Sequence, residues 1–437
     1  MKNQLQQLYS HYLQHPVVCT DTRQIKKDSL FFALKGGNFN GNEFAQRAIE
    51  QGCSLAIIDQ EIYKKDERYI LVPDALKALQ ELAQYHREHL TIPIIAITGS
   101  NGKTTTKELV NAVLSKRYFT KATFGNLNNH IGVPLTLLSI TKQHEVAIIE
   151  MGANHIGEIA LLCEIAQPGF GIITNIGKAH LEGFGGIQGV IKAKNEMYDF
   201  IKQHQGLLFV NQSNDLLMNL SENARKITYG EARDSDCIGE IIEVNPFVRL
   251  KWKSLQDKEN IDAKEVLSSS LIGKYNFENI LAAISIGQHF QVEAIKINEA
   301  IQNYIPANNR SEIIKKQTNT IWLDAYNANP TSMEAAIENF SALEADNKIL
   351  ILGDMLELGD ESRTEHQLLI RLLKKKEFNN VFLIGNFFSE IENSINARVF
   401  KNVEQAYQWL DTNKISNSNL LIKGSRGIKL EKLIDVL

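Results

Sequence analysis

The amino-acid sequence predicts an α/β protein of three domains: a small α/β domain (residues 1–90), a central domain on a parallel sheet (91–308) and a C-terminal Rossmann-like domain (309–437). Three observations predict it. The chain has 437 residues, room for about three domains at roughly 150 residues each. Its 43% apolar and 22% charged residues are those of a packed globular chain, neither disordered nor fibrous. From Ile94 onward short apolar runs alternate with helix-length spacers, the pattern of parallel sheets covered on both faces.

Residues 1–90 mix short strands at Leu30–Leu34 and Leu55–Ile58 with helices, the last from about Asp74 to His89. Thr91-Ile92-Pro93 ends that helix, because proline removes a donor and clashes with the preceding turn. Next come a strand at Ile94, a glycine turn and a helix, then strands at Val146–Glu150, Gly171–Asn175 and Leu207–Asn211. Between Lys226 and Leu271 the alternation at Ile241–Val244 and Val248–Trp252 predicts an antiparallel excursion, followed by a helix over Asn276–Gln288. A polar stretch at Pro306–Arg310 reads as a linker into a third βα series, with strands at Thr320–Leu323, Lys348–Leu352, Val381–Ile384 and Leu420–Lys423.

A net charge of −4 without a basic tract gives a nucleic-acid groove no electrostatic support and leaves small molecules as expected partners. The polar N-terminal segment lacks the apolar stretch of a secretory signal. The greasiest runs, Ile92–Ile97 and Val146–Ile149, fall far short of the ~18 apolar residues of a membrane span. Cys19, Cys53, Cys163 and Cys237 are scattered without a Cys-x-x-Cys pair, which argues against a disulfide framework and a zinc site. A cytoplasmic chain with reduced cysteines is expected.

The chemistry starts at Ile94-Ile-Ala-Ile-Thr-Gly99-Ser100-Asn101-Gly102-Lys103-Thr104-Thr105, a buried strand, a glycine turn and a helix carrying Leu109, Val110, Val113 and Leu114 on one face. Amides at such a helix start point at a bound anion, glycines let the backbone approach it, Lys103 supplies positive charge and the Thr104 hydroxyl can hold Mg²⁺. A plain βα turn would not need Lys-Thr directly after the second glycine. The common P-loop has its first glycine where Ile97 stands here, so this loop is of a narrower type. Glu150 ends a buried strand at the carboxyl edge where open α/β sheets bind ligands, and a carboxylate there can coordinate the cation of MgATP. Thr174-Asn175-Ile-Gly-Lys-Ala-His180 delivers a histidine to the same edge, although a lone histidine is usually structural. Lys192-Ala-Lys194 reads physically as the start of a helix with surface lysines, and Asn276 as a helix N-cap.

Thr98-Gly-Ser-Asn-Gly-Lys-Thr-Thr105 resembles the signature of the muramyl ligases and their folylpolyglutamate relatives. The resemblance implies ATP-dependent amide-bond formation through an acyl phosphate. It implies Mg²⁺, as two ions, at Thr104, Glu150, His180 and a Lys194 that has become a carbamate by reaction with CO₂, with Lys103, His180 and Lys194 as catalytic residues. Gly273-Lys-Tyr275-Asn276-Phe-Glu-Asn279 matches the family's helix start, with Asn276 toward the nucleotide and Tyr275 in place of the usual histidine. Arg310 matches a family arginine that touches ATP, with Asn309 in place of the family's glycine.

The ends of the chain select within the family. Asp324-Ala-Tyr326-Asn327-Ala-Asn329-Pro330, Leu352-Gly-Asp354-Met-Leu-Glu357-Leu-Gly359 and Lys423-Gly-Ser-Arg426-Gly look like the member that joins D-alanyl-D-alanine to UDP-N-acetylmuramoyl-tripeptide. The Asp-Asn-Pro-Arg motif of the diaminopimelate-adding sibling is missing. Asp21-Thr22-Arg23 and Phe32-Ala-Leu-Lys35-Gly-Gly-Asn-Phe-Asn40 resemble that member's uridine cradle, and Gly125-Asn-Leu-Asn128-Asn129 its central substrate loop. Arg23 and Arg426 offer bidentate donors for phosphate and carboxylate, and Asp324 can accept ribose hydroxyls. Taken singly these stretches also read as a capped turn, a turn before a helix from Thr331 and a loop. A monomer in bacterial cytoplasm is expected, with no nucleic acid and no membrane span.

Overall fold

A computed structural model describes residues 2–254, 266–306, 310, 312–391 and 395–437. In the first unit, Val18–Cys19, Leu30–Phe32, Leu55–Ile58 and Tyr69–Leu71 form a four-stranded parallel sheet in that order. The helix Ala75–Glu88 follows, N-capped by the Asp74 side chain on the amide of Lys77. Its buried Ala75, Leu79, Leu82, Ala83 and His86 recur at helical spacing and make one apolar stripe. That stripe faces the middle unit, and polar side chains around it reach across to main-chain oxygens. Tyr12 Oη donates to Leu138 O at 2.6 Å, and His86 Nε2 lies 3.0 Å from Ile140 O. Arg87 reaches Ala166 O at 2.9 Å and Gln167 O at 3.1 Å. These last carbonyls close the helix Glu158–Ala166, where a cation complements the unpaired acceptors.

The middle unit is a nine-stranded sheet. Ile94–Thr98 lies between Val146–Glu150 and Phe170–Ile173 and pairs parallel with both. Strand order reverses there, so the crevice beyond Thr98 and Glu150 is the switch point where such sheets bind ligands. One expectation is corrected: Lys226–Gly230 pairs parallel with Leu207–Asn211, and Cys237–Glu243 parallel with it. Antiparallel pairing begins only with Arg249–Ser254 and Leu267–Ser268.

The third unit is a six-stranded sheet, with strands Glu312–Lys316, Asn319–Asp324, Asn419–Lys423, Lys348–Gly353, Val381–Ile384 and Ala397–Phe400 in that order. All pairs are parallel except the first, an antiparallel hairpin that the polar text around Lys315 did not suggest. Residues 307–309 of the expected linker, Asn309 among them, lie outside the described residues. The third unit rests on the middle one through Lys178 Nζ and Glu365 Oε1 at 2.5 Å, and through the Lys178 amide on Thr331 Oγ1 at 3.1 Å. A single apolar cluster runs from Leu8 through Ile94 to Leu421. All four cysteines are free and buried. Among the described residues no helix is long and apolar enough to cross a membrane.

Candidate active site

A cavity of about 720 Å³ opens between the middle and third units. On its floor lies the turn Gly99–Gly102. Gly99 (φ 145°) and Gly102 (φ 78°) hold left-handed conformations, and a Cβ at Gly99 would stand 2.0 Å from Thr174 Oγ1, so glycine is required both by angle and by space. The neighbouring strand end straps the turn down: Thr174 Oγ1 donates to Asn101 O at 2.6 Å, and Asn175 Oδ1 accepts the Asn101 amide at 3.0 Å. The helix Lys103–Leu114 has no side-chain cap, which leaves its first-turn amides for an anion. Substituting Gly99→Ala is expected to destabilise the fold by about 2 kcal/mol or more and to abolish ADP binding. A variant with unchanged thermal midpoint and unchanged ADP titration would remove the glycine requirement.

Lys103 Nζ is folded back over the turn, donating to Gly99 O at 2.7 Å and Ser100 O at 3.2 Å. Burial pushes its ammonium down to about 8, with Glu150 opposing and Arg310 adding to the fall. Glu150 is 1% exposed. Its Oε1 accepts from Thr104 Oγ1 at 3.1 Å and from Asn128 Nδ2 at 2.8 Å, while its Oε2 is buried without a hydrogen-bond partner. A buried carboxylate oxygen left unpaired beside a hydroxyl suits a bound cation. His180 (φ 53°) presents Nδ1 2.5 Å from Glu357 Oε2 of the third unit. That histidine, as hydrogen-bond partner, holds the Glu357 carboxyl below its usual range.

Thr104, Glu150 and His180 line the cavity and Lys194 does not. Lys194 is no surface lysine, as helix composition alone suggested. It is 2% exposed on the helix Ile187–Gln203, with Nζ 5.4 Å from the Phe184 ring centroid. Burial, reinforced by the charge of Lys103, brings its amine down to about 7. Among the described residues no three His, Cys, Asp or Glu side chains gather as a metal cage, so the expected cation set depends on the Thr104 hydroxyl and on Lys194.

Ser100, Asn101, Thr105, Asn128, Asn129, Asn276, Arg310, Asp324, Tyr326, Asn327, Asn329 and Arg426 all line the cavity. Asn276 is not an N-cap. It sits within the helix Tyr275–His289 and donates to Ile272 O at 2.8 Å, while Asn279 joins it to Thr106. Asn129 accepts from the amide of Gly132 at 2.9 Å. Asp324 Oδ2 meets Lys423 Nζ at 2.5 Å. Tyr326 is flanked by Arg310, 3.7 Å from its ring centroid, and Arg426 at 5.0 Å, a cation–π arrangement. Asn329 caps the helix Pro330–Ser341 and donates to Asn101 Oδ1 at 2.8 Å, joining the third unit to the phosphate turn.

Thr22, Arg23, Lys35 and Asn40 are not brought into this cavity. The Arg23 side chain is 84% exposed and pairs with Asp21 at 2.7 Å, as the capped-turn reading anticipates. Lys35 pairs with Asp59 at 3.0 Å, and Asn40 donates to Gln60 at 2.9 Å. Sequence reasoning did not single out Glu357, Lys423 or Asn175 as site residues. A charged residue closing the apolar run Leu420-Leu-Ile, as Glu150 closes its own, was the available signal for Lys423.

Three family models match the chain: the Mur ligase family catalytic domain over residues 16–87, the Mur ligase middle domain over 97–287 and the Mur ligase glutamate ligase domain over 309–426. The UDP-N-acetylmuramoyl-tripeptide–D-alanyl-D-alanine ligase of Bacillus subtilis is 34% identical over 95% of this chain and 92% of its own length. A crystal structure of MurF from Acinetobacter baumannii superposes with a TM-score of 0.87 at 32% identity, covering 99% of this chain and 97% of that one. The MurF ligase of Thermotoga maritima in complex with ADP shares the fold, with a TM-score of 0.83, 23% identity and 97% of each chain covered.

Proposed function

The chain belongs to the Mur ligase family, and on that premise we propose that it is an ATP-dependent ligase joining D-alanyl-D-alanine to UDP-N-acetylmuramoyl-tripeptide. The observation that carries the reading is the cavity in which a phosphate turn faces Tyr326 and Arg426 of the third unit, in a chain that matches such a ligase over nearly its whole length. We propose the division 1–90 for the UDP-sugar peptide, 91–308 for ATP and 309–437 for the nucleotide base and the incoming dipeptide.

A carboxylate does not acylate an amine unaided, because its oxygen leaves poorly. The turn amides and Lys103 hold the β- and γ-phosphates while a tripeptide carboxylate oxygen attacks the γ-phosphorus and ADP departs. The dipeptide amine, with a pKa near ~8 when free, sheds a proton and attacks the acyl carbon, and inorganic phosphate leaves. Mg²⁺ would neutralise charge on the transferring phosphoryl group. Thr104, the unpaired oxygen of Glu150, His180 and Lys194 as its carbamate are the groups that would hold it. Asp324 has one oxygen tied to Lys423 and the other for a ribose hydroxyl. Arg310 reaches the phosphates, and Arg426 with Tyr326, Asn327 and Asn329 receives the dipeptide. Asn128 and Asn129 approach the sugar peptide from the loop beside Glu150. Docking of the third unit keeps water from the acyl phosphate. We propose that the enzyme works as a monomer in the cytoplasm.

Arg23 tests the first domain. Its guanidinium is exposed, with Nε and Nη2 on Asp21 and the Nη1 side left for a diphosphate. Arg23→Ala should weaken UDP-tripeptide binding about tenfold, one strong ionic contact, and leave ATP affinity unchanged. Equal UDP-tripeptide titrations for both proteins would place the uridine cradle elsewhere. The reading as a whole is tested by mass analysis of products from purified enzyme, ATP, Mg²⁺, D-Ala-D-Ala and UDP-muramyl tripeptides carrying either diaminopimelate or lysine. A product extended by the dipeptide is expected with one or both. Its absence with both would sink the assignment.

A further inference from the structure

Lys107 lies one helical turn beyond Lys103 on the helix Lys103–Leu114 and is completely buried, at 0% exposure. Its ammonium turns away from the cavity. Nζ donates to Thr123 O at 2.6 Å and meets Glu108 Oε1 at 2.7 Å. A buried charge is expensive and is retained where its partners matter. Thr123 begins the loop that carries Asn128, and it is itself 1% exposed. Its Oγ1 accepts the Glu150 amide at 2.9 Å, and its own amide donates to Ile148 O at 3.0 Å. At the far end Asn128 O accepts the Gly152 amide at 2.7 Å, and Asn128 Nδ2 donates to Glu150 at 2.8 Å. Between these anchors the chain bulges outward: Phe124 is 83% exposed and Gly125 holds φ 56°. The loop is therefore pinned beside one sheet strand at both ends, and Lys107 bonds it directly to the phosphate-turn helix.

We propose that Lys107 is a positioning residue that ties the phosphate-turn helix to the loop Thr123–Asn129 and so sets the loop for the UDP-sugar peptide. This rests on the reading that Asn128 and Asn129 face that substrate. The main-chain oxygen of Thr123 cannot be altered by substitution, so the ammonium is the accessible half of the link. An apolar side chain of similar length would fill the same space without holding the carbonyl, which separates positioning from mere packing.

The experiment measures KM for UDP-muramyl tripeptide and for ATP in wild type, Lys107→Met, Lys107→Gln and Lys107→Arg, with circular dichroism and thermal unfolding on each. Lys107→Met should raise KM for the UDP-tripeptide tenfold or more and leave KM for ATP within twofold. Lys107→Gln should fall between, and Lys107→Arg should recover most of the loss. A folded Lys107→Met enzyme with UDP-tripeptide KM within twofold of wild type would overturn the proposal, as would parallel rises in both KM values or an arginine variant no better than methionine. If no variant at position 107 is soluble, the residue is structural and the proposal falls. Failure of the wild-type enzyme to extend the tripeptide would instead overturn the substrate assignment, and this inference with it.

Discussion

Lys103→Ala is expected to reduce turnover about 10²–10³-fold, the size of effect seen when one preorganised donor is removed from a developing oxyanion. In the structure the ammonium donates to Gly99 O and Ser100 O, so a bound polyphosphate competes with main-chain oxygens of the same turn. Its partly suppressed basicity, about 8 through burial, still leaves most of the side chain charged at neutral pH. Binding of ATP should therefore weaken less than the chemical step, because charge gathers at the β–γ bridge only as that bond breaks. Steady-state phosphate release, paired with ADP titration and circular dichroism, checks both parts. Near-normal ligation by a folded Lys103→Ala protein would refute the role.

Lys194→Ala should be almost as damaging, roughly 10²-fold or more if an anion at that position supports the transferring phosphoryl group. The direction follows from charge sign: an ammonium beside Mg²⁺ is repelled, so the lysine can help only once it is anionic. Burial favours the neutral amine, with a pKa brought down to about 7, and the neutral amine is the form that reacts with CO₂. Acetate or formate should diffuse into the gap left by alanine and restore part of the activity, and chloride should not. Full activity of the Lys194→Ala enzyme in CO₂-depleted buffer would eliminate the carbamate.

Where the sequence was readable, burial on both faces made it so. Ile94–Ile97 and Val146–Ile149 are apolar throughout because helices cover both sides of the sheet, and a polar residue closing such a run, like Glu150, stands out. Strand direction was less legible: Lys226–Gly230 looks the same whether its neighbour runs parallel or antiparallel, since alternation records which side chains are buried and not which strand lies beside them. Asn276 resembled a cap because asparagine favours caps, and only its bond to Ile272 O shows otherwise. The contact between His180 and Glu357 joins segments of different units, with no local pattern to announce it. Lys194 read as a solvated lysine, and nothing marked Lys107, because a sequence gives the spacing of a helix face, not what the rest of the fold lays over it.

The first unit holds the middle one by hydrogen bonds from Tyr12, His86 and Arg87 to the main-chain oxygens of Leu138, Ile140, Ala166 and Gln167. Carbonyls are the same whatever side chain follows them. A substitution at those four positions leaves the acceptor itself in place, so what restrains Leu138, Ile140 and Ala166 is the packing of their own buried side chains and not the identity of the donor opposite. The donors have no such freedom. Pairwise co-variation between the two sides through these bonds should therefore be weak even though they are firmly joined.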